Sequence, residues 1–375
     1  MSGDIYKAVP TGRIVTFSGT SGAGKSFLAC SCCREAQKLG YIPIYLDSEG
    51  AIDSDFGRLG VDPSKLIIKK VNTIMETSQF IANLCNKLQE QQDKYGQHDK
   101  VIIVLDSLGN LTSEKEREDT LSGSQKADFK KAKDTKAMFR VCATPIAKLQ
   151  IPWIVVNHVY QSMSFIPQNI QAMGSGIVYN ASITIELSAA KLEDKENDSA
   201  AKSKAGSDAG TKNGVLVTAK PVKSRFCRPM KVKFQIPYYK KPNPYVGLEQ
   251  FMTWENSGVC RGNILVQKEY DKLSDAEKKK VYEFQTPTGE TVWCQPKDTA
   301  RGIVVKHLGR QVPFTEFWSD TVFTPEYLDY INENVIHPMF ELPDQSAFDD
   351  VKDIEETLGI TDDGSETDPI ADANI

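Results

Sequence analysis

The chain has 375 residues, of which 40% are apolar and 25% charged, with a net charge of −5. That is an ordinary globular balance, long enough for one large or two modest domains. No apolar run approaches the ~20 residues that span a bilayer, and the first residues, MSGDIYKAVPTGR, lack the apolar stretch of a secretory signal, so a soluble, cytoplasmic protein is expected.

In chain order, residues 13–17 (RIVTF) read as a short buried strand, followed by a Gly-rich turn and a helix near 25–39. Residues 41–46 (YIPIYL) form a second strand. A helix over about 74–95 carries Ile74, Phe80, Ile81, Leu84 and Leu88 on one face. Residues 101–105 (VIIVL) are a third strand, about 125–149 a long amphipathic helix, and 151–156 a fourth strand. Continuous apolar strands alternating with helices predict an α/β fold with a mostly parallel sheet covered on both faces. Beyond residue 180 the pattern changes to sequential strands at 183–187 (ITIEL), 214–220 (GVLVTAK) and 230–236 (MKVKFQI). The segment between the first two is rich in Ser, Ala, Gly and charge and reads as a flexible insertion over 191–213.

The expected organisation is a core over 1–240, a small C-terminal α+β unit over 241–340, and an acidic disordered tail over 341–375. The tail holds twelve acidic residues and one lysine, a charge of −11, which leaves the other 340 residues at +6. A basic body suits an anionic partner. The eight cysteines are scattered, and in such a chain they read as reduced, mostly buried thiols. Cys30 and Cys33 lie one helical turn apart, but no second ligand pair accompanies them, so a metal pair is the weaker alternative.

Gly19-Thr20-Ser21-Gly22-Ala23-Gly24-Lys25-Ser26 matches GxxxxGK[ST] between a strand and a helix, the setting in which that motif binds nucleotide. Glycines let backbone N–H groups curl around phosphates, and the helix N-terminus favours negative charge. Lys25 is placed to neutralise the β- and γ-phosphates of ATP, and the Ser26 hydroxyl to ligate Mg²⁺. Asp106 ends the third strand, where a carboxylate holds Mg²⁺ through water. In Tyr45-Leu46-Asp47-Ser48-Glu49-Gly50, just past the second strand, a carboxylate is placed to polarise the attacking water; Glu49 and Asp47 both qualify.

Five blocks resemble the RecA family, in its order: YLDSEGAIDSDFGRLGVDP (45–63), VIIVLDSLGNLTSEKE (101–116), WIVVNH (153–158), GSGIVYNASITIEL (174–187) and KPVKSRFCRPMKVKFQI (220–236). PNPYVGLEQF (242–251) and WCQPKDT (293–299) most resemble the UvsX strand-exchange recombinases of large tailed phages. The resemblance spans about residues 12–320. It implies a RecA-type P-loop core and a DNA-dependent ATPase that binds single-stranded DNA as a filament, pairs it with homologous duplex DNA and exchanges strands in recombination and repair. Mediator and single-strand-binding proteins are the implied partners, and the host bacterial cytoplasm the implied location of a phage-encoded member. A RecA-fold replicative helicase, a non-catalytic ATP-binding accessory of a filament and a metabolic kinase are the alternatives.

The resemblance also implies roles. Glu49 falls on the catalytic glutamate. Asp53 and Phe56 fall on the positions that contact adenine by hydrogen bond and by stacking. Asn157 and His158 resemble the polar pair that senses the γ-phosphate; the second position is often Gln in the family, and His adds pH sensitivity. Lys223 and Arg225 match the paired basic residues that reach a neighbouring subunit's nucleotide. DNA-facing loops are expected at about 113–124 and 159–176, with Phe165, Ile166, Met163 and Met173 against bases and Gly174 and Gly176 close to phosphate. The second loop has no Lys or Arg, which leaves ionic contacts to neighbours such as Lys126, Lys130 and Arg140 and implies a shallow salt dependence. Only 18 residues precede Gly19, whereas the family carries an N-terminal helix and strand that dock onto the next protomer. That departure bears on filament formation, not on the ATP site.

If the acidic tail competes with DNA for basic surface, removing residues 341–375 should tighten single-stranded DNA binding at low salt. A titration by fluorescence anisotropy showing unchanged affinity would overturn this expectation.

Overall fold

The computed structural model describes residues 9–50, 55–121, 130–161, 169–172, 176–192, 214–226, 229–238 and 242–340. Nine strands form the main sheet: β1 (Ile14–Gly19), β2 (Ile42–Asp47), β3 (Ile67–Lys70), β4 (Val101–Asp106), β5 (Trp153–Gln161), β6 (Asn169–Gln171), β7 (Ile183–Leu192), β8 (Gly214–Ser224) and β9 (Val232–Pro237). Their order is β3-β2-β4-β5-β1-β7-β8-β9, with β6 paired to β5 alone. From β3 to β7 every pairing is parallel, whereas β8 and β9 add as antiparallel strands. The mostly parallel sheet expected from the apolar runs is therefore present, extended by an antiparallel edge.

The strands that read as unbroken apolar runs are the central ones. All six residues of β1 and of β4 are buried, as a strand covered on both faces requires. One face meets α3 (Ile74–Tyr95) and α5 (Lys130–Lys148), reached after α1 (Lys25–Lys38), α2 (Asp55–Leu59) and, between them, α4 (Glu114–Leu121). Helix α3 begins where the Thr73 side chain accepts from Glu76 N at 3.1 Å, and it stops at Gly96, whose φ of 71° belongs to the left-handed region. It buries Ile74, Thr77, Ile81, Cys85 and Leu88, with Phe80 and Leu84 at the margin. Helix α5 is described from Lys130; residues 125–129 of the expected helix lie outside the described residues. Its Phe139 is fully buried, with its ring 5.1 Å from that of Trp153. The other face is covered by α1, whose Ala29, Cys30, Cys33 and Ala36 pack with Tyr45, Val104 and Val156. Cys30 and Cys33 are core residues, and burial pushes the Cys33 thiol well up.

Strand β3 was not expected. It is four residues long, and Ile67 and Ile68 are exposed, as befits an edge. Short helix α6 (Gly176–Asn180) leads into β7. Strands β7 and β8 form a long hairpin whose last pair is Leu192↔Gly214. Of the insertion expected over 191–213, Lys191 and Leu192 belong to β7, and residues 193–213 lie outside the described residues, as does the tail 341–375.

A second, antiparallel sheet follows, in the order β11 (Tyr282–Gln285), β12 (Thr291–Pro296), β10 (Val259–Leu265), β13 (Gly302–Val305), β14 (Arg310–Pro313). Phe251, Val312, Phe317, Phe323 and Ile331 form a separate apolar cluster beside it. Among the described residues no helix is long and apolar enough to cross a membrane.

Phe139→Ala would empty the contact between α5 and the sheet and is expected to cost about 3–5 kcal/mol. Urea unfolding checks it, with the exposed Tyr160 as control: Tyr160→Ala should stay within about 0.5 kcal/mol.

Candidate nucleotide-binding site

Strands β1, β2, β4 and β5 end at the same edge of the sheet, and the residues that follow them enclose an open cleft of about 260 Å³. This is the crevice in which α/β sheets hold ligands. It is lined by Ser21, Gly22, Gly24, Lys25 and Ser26 of the turn and first helix, by Glu49, Asp106 and His158 from the ends of the parallel strands, and by Val215, Ile236 and Tyr238 of the antiparallel extension.

The turn from Gly19 to Ser26 has the shape its glycines predict. A Cβ on Gly19 would lie 2.4 Å from the carbonyl oxygen of Leu187, so only glycine lets β1 lie this close to β7 there. Gly24, at φ 85°, starts α1 with no side-chain cap, and a Cβ there would lie 2.5 Å from Ile236 Cδ1. The first turn of α1 itself carries no acidic residue, which suits an anion at its N–H groups. Thr20 supplies the turn's carbonyl: it accepts from Ala23 N at 3.3 Å and from Lys25 Nζ at 2.8 Å. Lys25 is only 6% exposed. Burial lowers its pKa, and the carboxylates of Asp106 and Glu49 only partly offset that.

Asp106 is buried at the end of β4, and Oδ2 accepts from Tyr45 Oη at 2.6 Å. Burial raises its pKa; hydrogen bonds from Tyr45 and Ser26 oppose the rise, and the nearby charge of Glu49 adds to it. Its Oδ1 is buried and makes no hydrogen bond of ordinary geometry. An orphaned anionic oxygen beside the Ser26 hydroxyl fits a hydrated divalent cation. Among the described residues no group of three or more His, Cys, Asp or Glu side chains is arranged to hold a metal ion by itself, so such an ion would need ligands from water and phosphate.

Of the two acids after β2, Asp47 is buried and turns the chain: its Oδ1 accepts from the backbone N of Glu49 at 2.9 Å and of Gly50 at 2.8 Å. Glu49 lines the cleft. Its Oε1 accepts from Ser107 Oγ at 2.7 Å and lies 2.9 Å from His158 Nε2. Burial alone would raise its pKa, but the hydrogen bonds from His158 and Ser107 and the charges of His158 and Lys25 outweigh it and hold the carboxyl below the usual range.

Several expected residues stand elsewhere. Phe56 is 3% exposed and packs edge-on against Tyr45, ring centroids 5.1 Å apart, in the core beneath α1. Its ring is packed in the core and does not line the cleft, unlike the position the expected stacking role requires. Asn157 is fully buried and gives its Nδ2 to the carbonyl of Ala172 at 3.0 Å, at the root of the β5–β6 hairpin; of the expected polar pair only His158 lines the cleft. Lys223 donates from Nζ to the carbonyls of Val178 at 2.7 Å and Tyr179 at 2.9 Å, closing the end of its own chain's α6, while Arg225 is exposed. Burial and the charge of Arg225 lower the Lys223 pKa. Asp53, Lys126, Met163, Phe165, Ile166, Met173 and Gly174 lie outside the described residues.

Other residues were missed. Tyr238, 41% exposed, presents a ring to the cleft wall; it follows a strand as one of many tyrosines, and nothing local marks it. Ser48 and Ser107 each stand next to an acidic residue, and no local pattern marks them as part of the site. Lys133, Lys136 and the expected Arg140 line a second groove with Tyr179, which is 73% exposed. Their three- and four-residue spacing on α5 is the signal that marks them as one face.

The description "RecA N-terminal domain" belongs to the family model that matches residues 5–240. The chain is 28% identical over 197 residues to the "Recombination and repair protein" of Enterobacteria phage T4, covering 52% of this chain and 48% of that protein. It is 27% identical over 192 residues to "Protein RecA" of Desulforapulum autotrophicum, covering 50% and 52%. With "Protein RecA" of Aquifex aeolicus it shares 25% identity over 232 residues, 61% of each. The chain thus spans about half to three-fifths of the length of these relatives.

Because burial raises the Asp106 pKa, the penalty for its charge is absent below the usual carboxylate range and complete above the raised value. Asp106→Asn should therefore raise the melting temperature of the ligand-free chain at neutral pH, by a margin that shrinks on acidification. A lower melting temperature at neutral pH would mean that the Tyr45 hydrogen bond to the carboxylate outweighs its desolvation.

Proposed function

The chain belongs to the RecA family, and on that premise we propose that it is an ATP-dependent DNA recombinase, one that binds single-stranded DNA as a filament and promotes homologous pairing and strand exchange. The observation that carries the ATPase half is the convergence of Lys25, Ser26, Glu49, Asp106 and His158 on one cleft at the carboxyl edge of the parallel strands. Lys25 and the amides of residues 19–26 hold the β- and γ-phosphates, and the ring of Tyr238 takes over the contact with the base that Phe56 cannot make. Ser26 and Asp106 hold Mg²⁺. When bound, that ion supplies charge neutralisation on the phosphates. Glu49 accepts the proton of the attacking water; like any ordinary carboxylate it is ionised at neutral pH, and its hydrogen bonds and the nearby charges shift its pKa further down. His158, hydrogen-bonded to Glu49 and placed on the strand that leads into the second loop, reports the state of the γ-phosphate.

The DNA half is supported by the groove of Lys133, Lys136, Arg140 and Tyr179, which joins cations for phosphate to an exposed ring for a base. It is also supported by the name of the phage relative. Arg225, which is exposed, and Lys223, once released from the Val178 and Tyr179 carbonyls, complete a neighbouring subunit's site only in a filament, which makes hydrolysis depend on assembly. In this scheme residues 1–240 are the ATPase core and 241–340 an accessory unit, and mediator and single-strand-binding proteins act with the filament in the cytoplasm.

The test is steady-state ATP hydrolysis with Mg²⁺, with and without single-stranded DNA. DNA should stimulate turnover strongly, and Glu49→Gln should lower kcat by roughly 10²–10⁴ while ATP still binds. Bound ATP with no turnover, with or without DNA, would overturn the enzymatic reading.

A further inference from the structure

Glu49 is held from both ends. Its backbone N is tied to Asp47 Oδ1 at 2.9 Å, and both donors to its carboxylate, Ser107 Oγ and His158 Nε2, meet the same oxygen, Oε1. Among the described residues Oε2 takes no hydrogen bond from the protein, and the side chain remains 32% exposed toward the cleft. The two donors differ in how firmly they are fixed. His158 stands on β5, which runs on into the β5–β6 hairpin. Ser107 is fully buried and clamped by Ser48: Ser48 Oγ accepts from Ser107 N at 2.8 Å and donates to Ser107 O at 2.7 Å, while Ser48 N donates to Asp106 O at 2.8 Å.

We propose that Ser107 is a positioning residue for hydrolysis: its hydroxyl, clamped by Ser48, fixes the Glu49 carboxylate so that Oε1 is occupied and Oε2 faces the water, an inference that rests on Glu49 acting as the general base. In the step it serves, the water oxygen bonds to the γ-phosphorus, the bond from that phosphorus to the ADP oxygen breaks, and the water proton passes to Oε2. A donor already in place at the start of the step needs no reorganisation during it. The same donor makes the carboxylate less basic. The charged groups facing Glu49 are Lys25 from α1, Asp47 from β2, Asp106 from β4 and His158 from β5. All of them stay when only the Ser107 hydroxyl is removed, so a change in the acid limb of activity reports that one hydrogen bond.

The experiment is the pH profile of kcat for Ser107→Ala and Ser107→Cys beside the unaltered chain and Glu49→Gln, with KM for ATP measured at each pH. Ser107→Ala is expected to lower kcat about tenfold, to leave KM within about twofold and to move the acid limb to higher pH. Ser107→Cys keeps the volume and a weaker donor, so it should fall between and preserves the test if the alanine variant does not fold. A loss of kcat with the acid limb unmoved, or kcat and KM changing together, would assign Ser107 a merely structural role and overturn the proposal. Glu49→Gln separates the two layers: if it turns over ATP like the unaltered chain, the general-base premise fails. If it is inactive while Ser107→Ala keeps full kcat and an unmoved profile, only the role of Ser107 fails.

Discussion

The cleft depends on β2 and β4 ending level with one another. Their parallel register pairs Asp47 with Asp106, so residues one and two positions further on, Ser48 and Glu49 from β2 and Ser107 from β4, meet across a gap that a single hydroxyl can bridge. A slip of one residue would turn every side chain of β4 to the opposite face. Asp106 would then leave the cleft, and Ile102 and Val104 would exchange faces with Ile103 and Leu105, which belong to a different core cluster. The apolar packing above and below the sheet is therefore what holds the polar constellation in register.

That constellation opposes stability. Lys25 and Asp106 are nearly inaccessible, and burial pushes the pKa of each against its charged form. Tyr45, fully buried, both donates to Asp106 and supports Phe56 edge-on, so one aromatic links the charged end of the strands to the core beneath α1. Buried charges with incomplete partners are costly and persist where function needs them. Asp106 Oδ1, buried and without a hydrogen bond of ordinary geometry, is the plainest case.

Two connections run outward from the cleft. His158 reaches the β5–β6 hairpin, where its carbonyl accepts from Ala172 N at 2.8 Å and Asn157 ties the same residue from the other side. Lys223, on β8, grips the end of α6, the helix that follows that hairpin. Ala172, just past β6, and the end of α6 are thus fastened to residues beside the cleft and on the adjoining antiparallel strand. A change in either contact has a short covalent path to the other.

Much of this was legible in the order of residues. The Gly19–Ser26 turn is a local device: its glycines, its lysine and its serine work within eight consecutive positions, so its sequence carries its geometry. Buried strands announce themselves as apolar runs, and α3 by its period and its Gly96 stop, because solvent selects those patterns one residue at a time. Strand β3 escaped because four residues at a sheet edge, with both isoleucines exposed, carry no pattern that separates them from a loop. An aromatic at position 56 suits a base or a core equally well, and only the placement of Tyr45 beside it decided for the core. The partner of Lys223 lies 44 and 45 residues away in the chain, and Ser107 meets Glu49 across 58. Contacts of that span are made by strand order and register, which no local pattern encodes, so tertiary structure alone decided that Ser107 meets Glu49 and that Lys223 meets the end of α6.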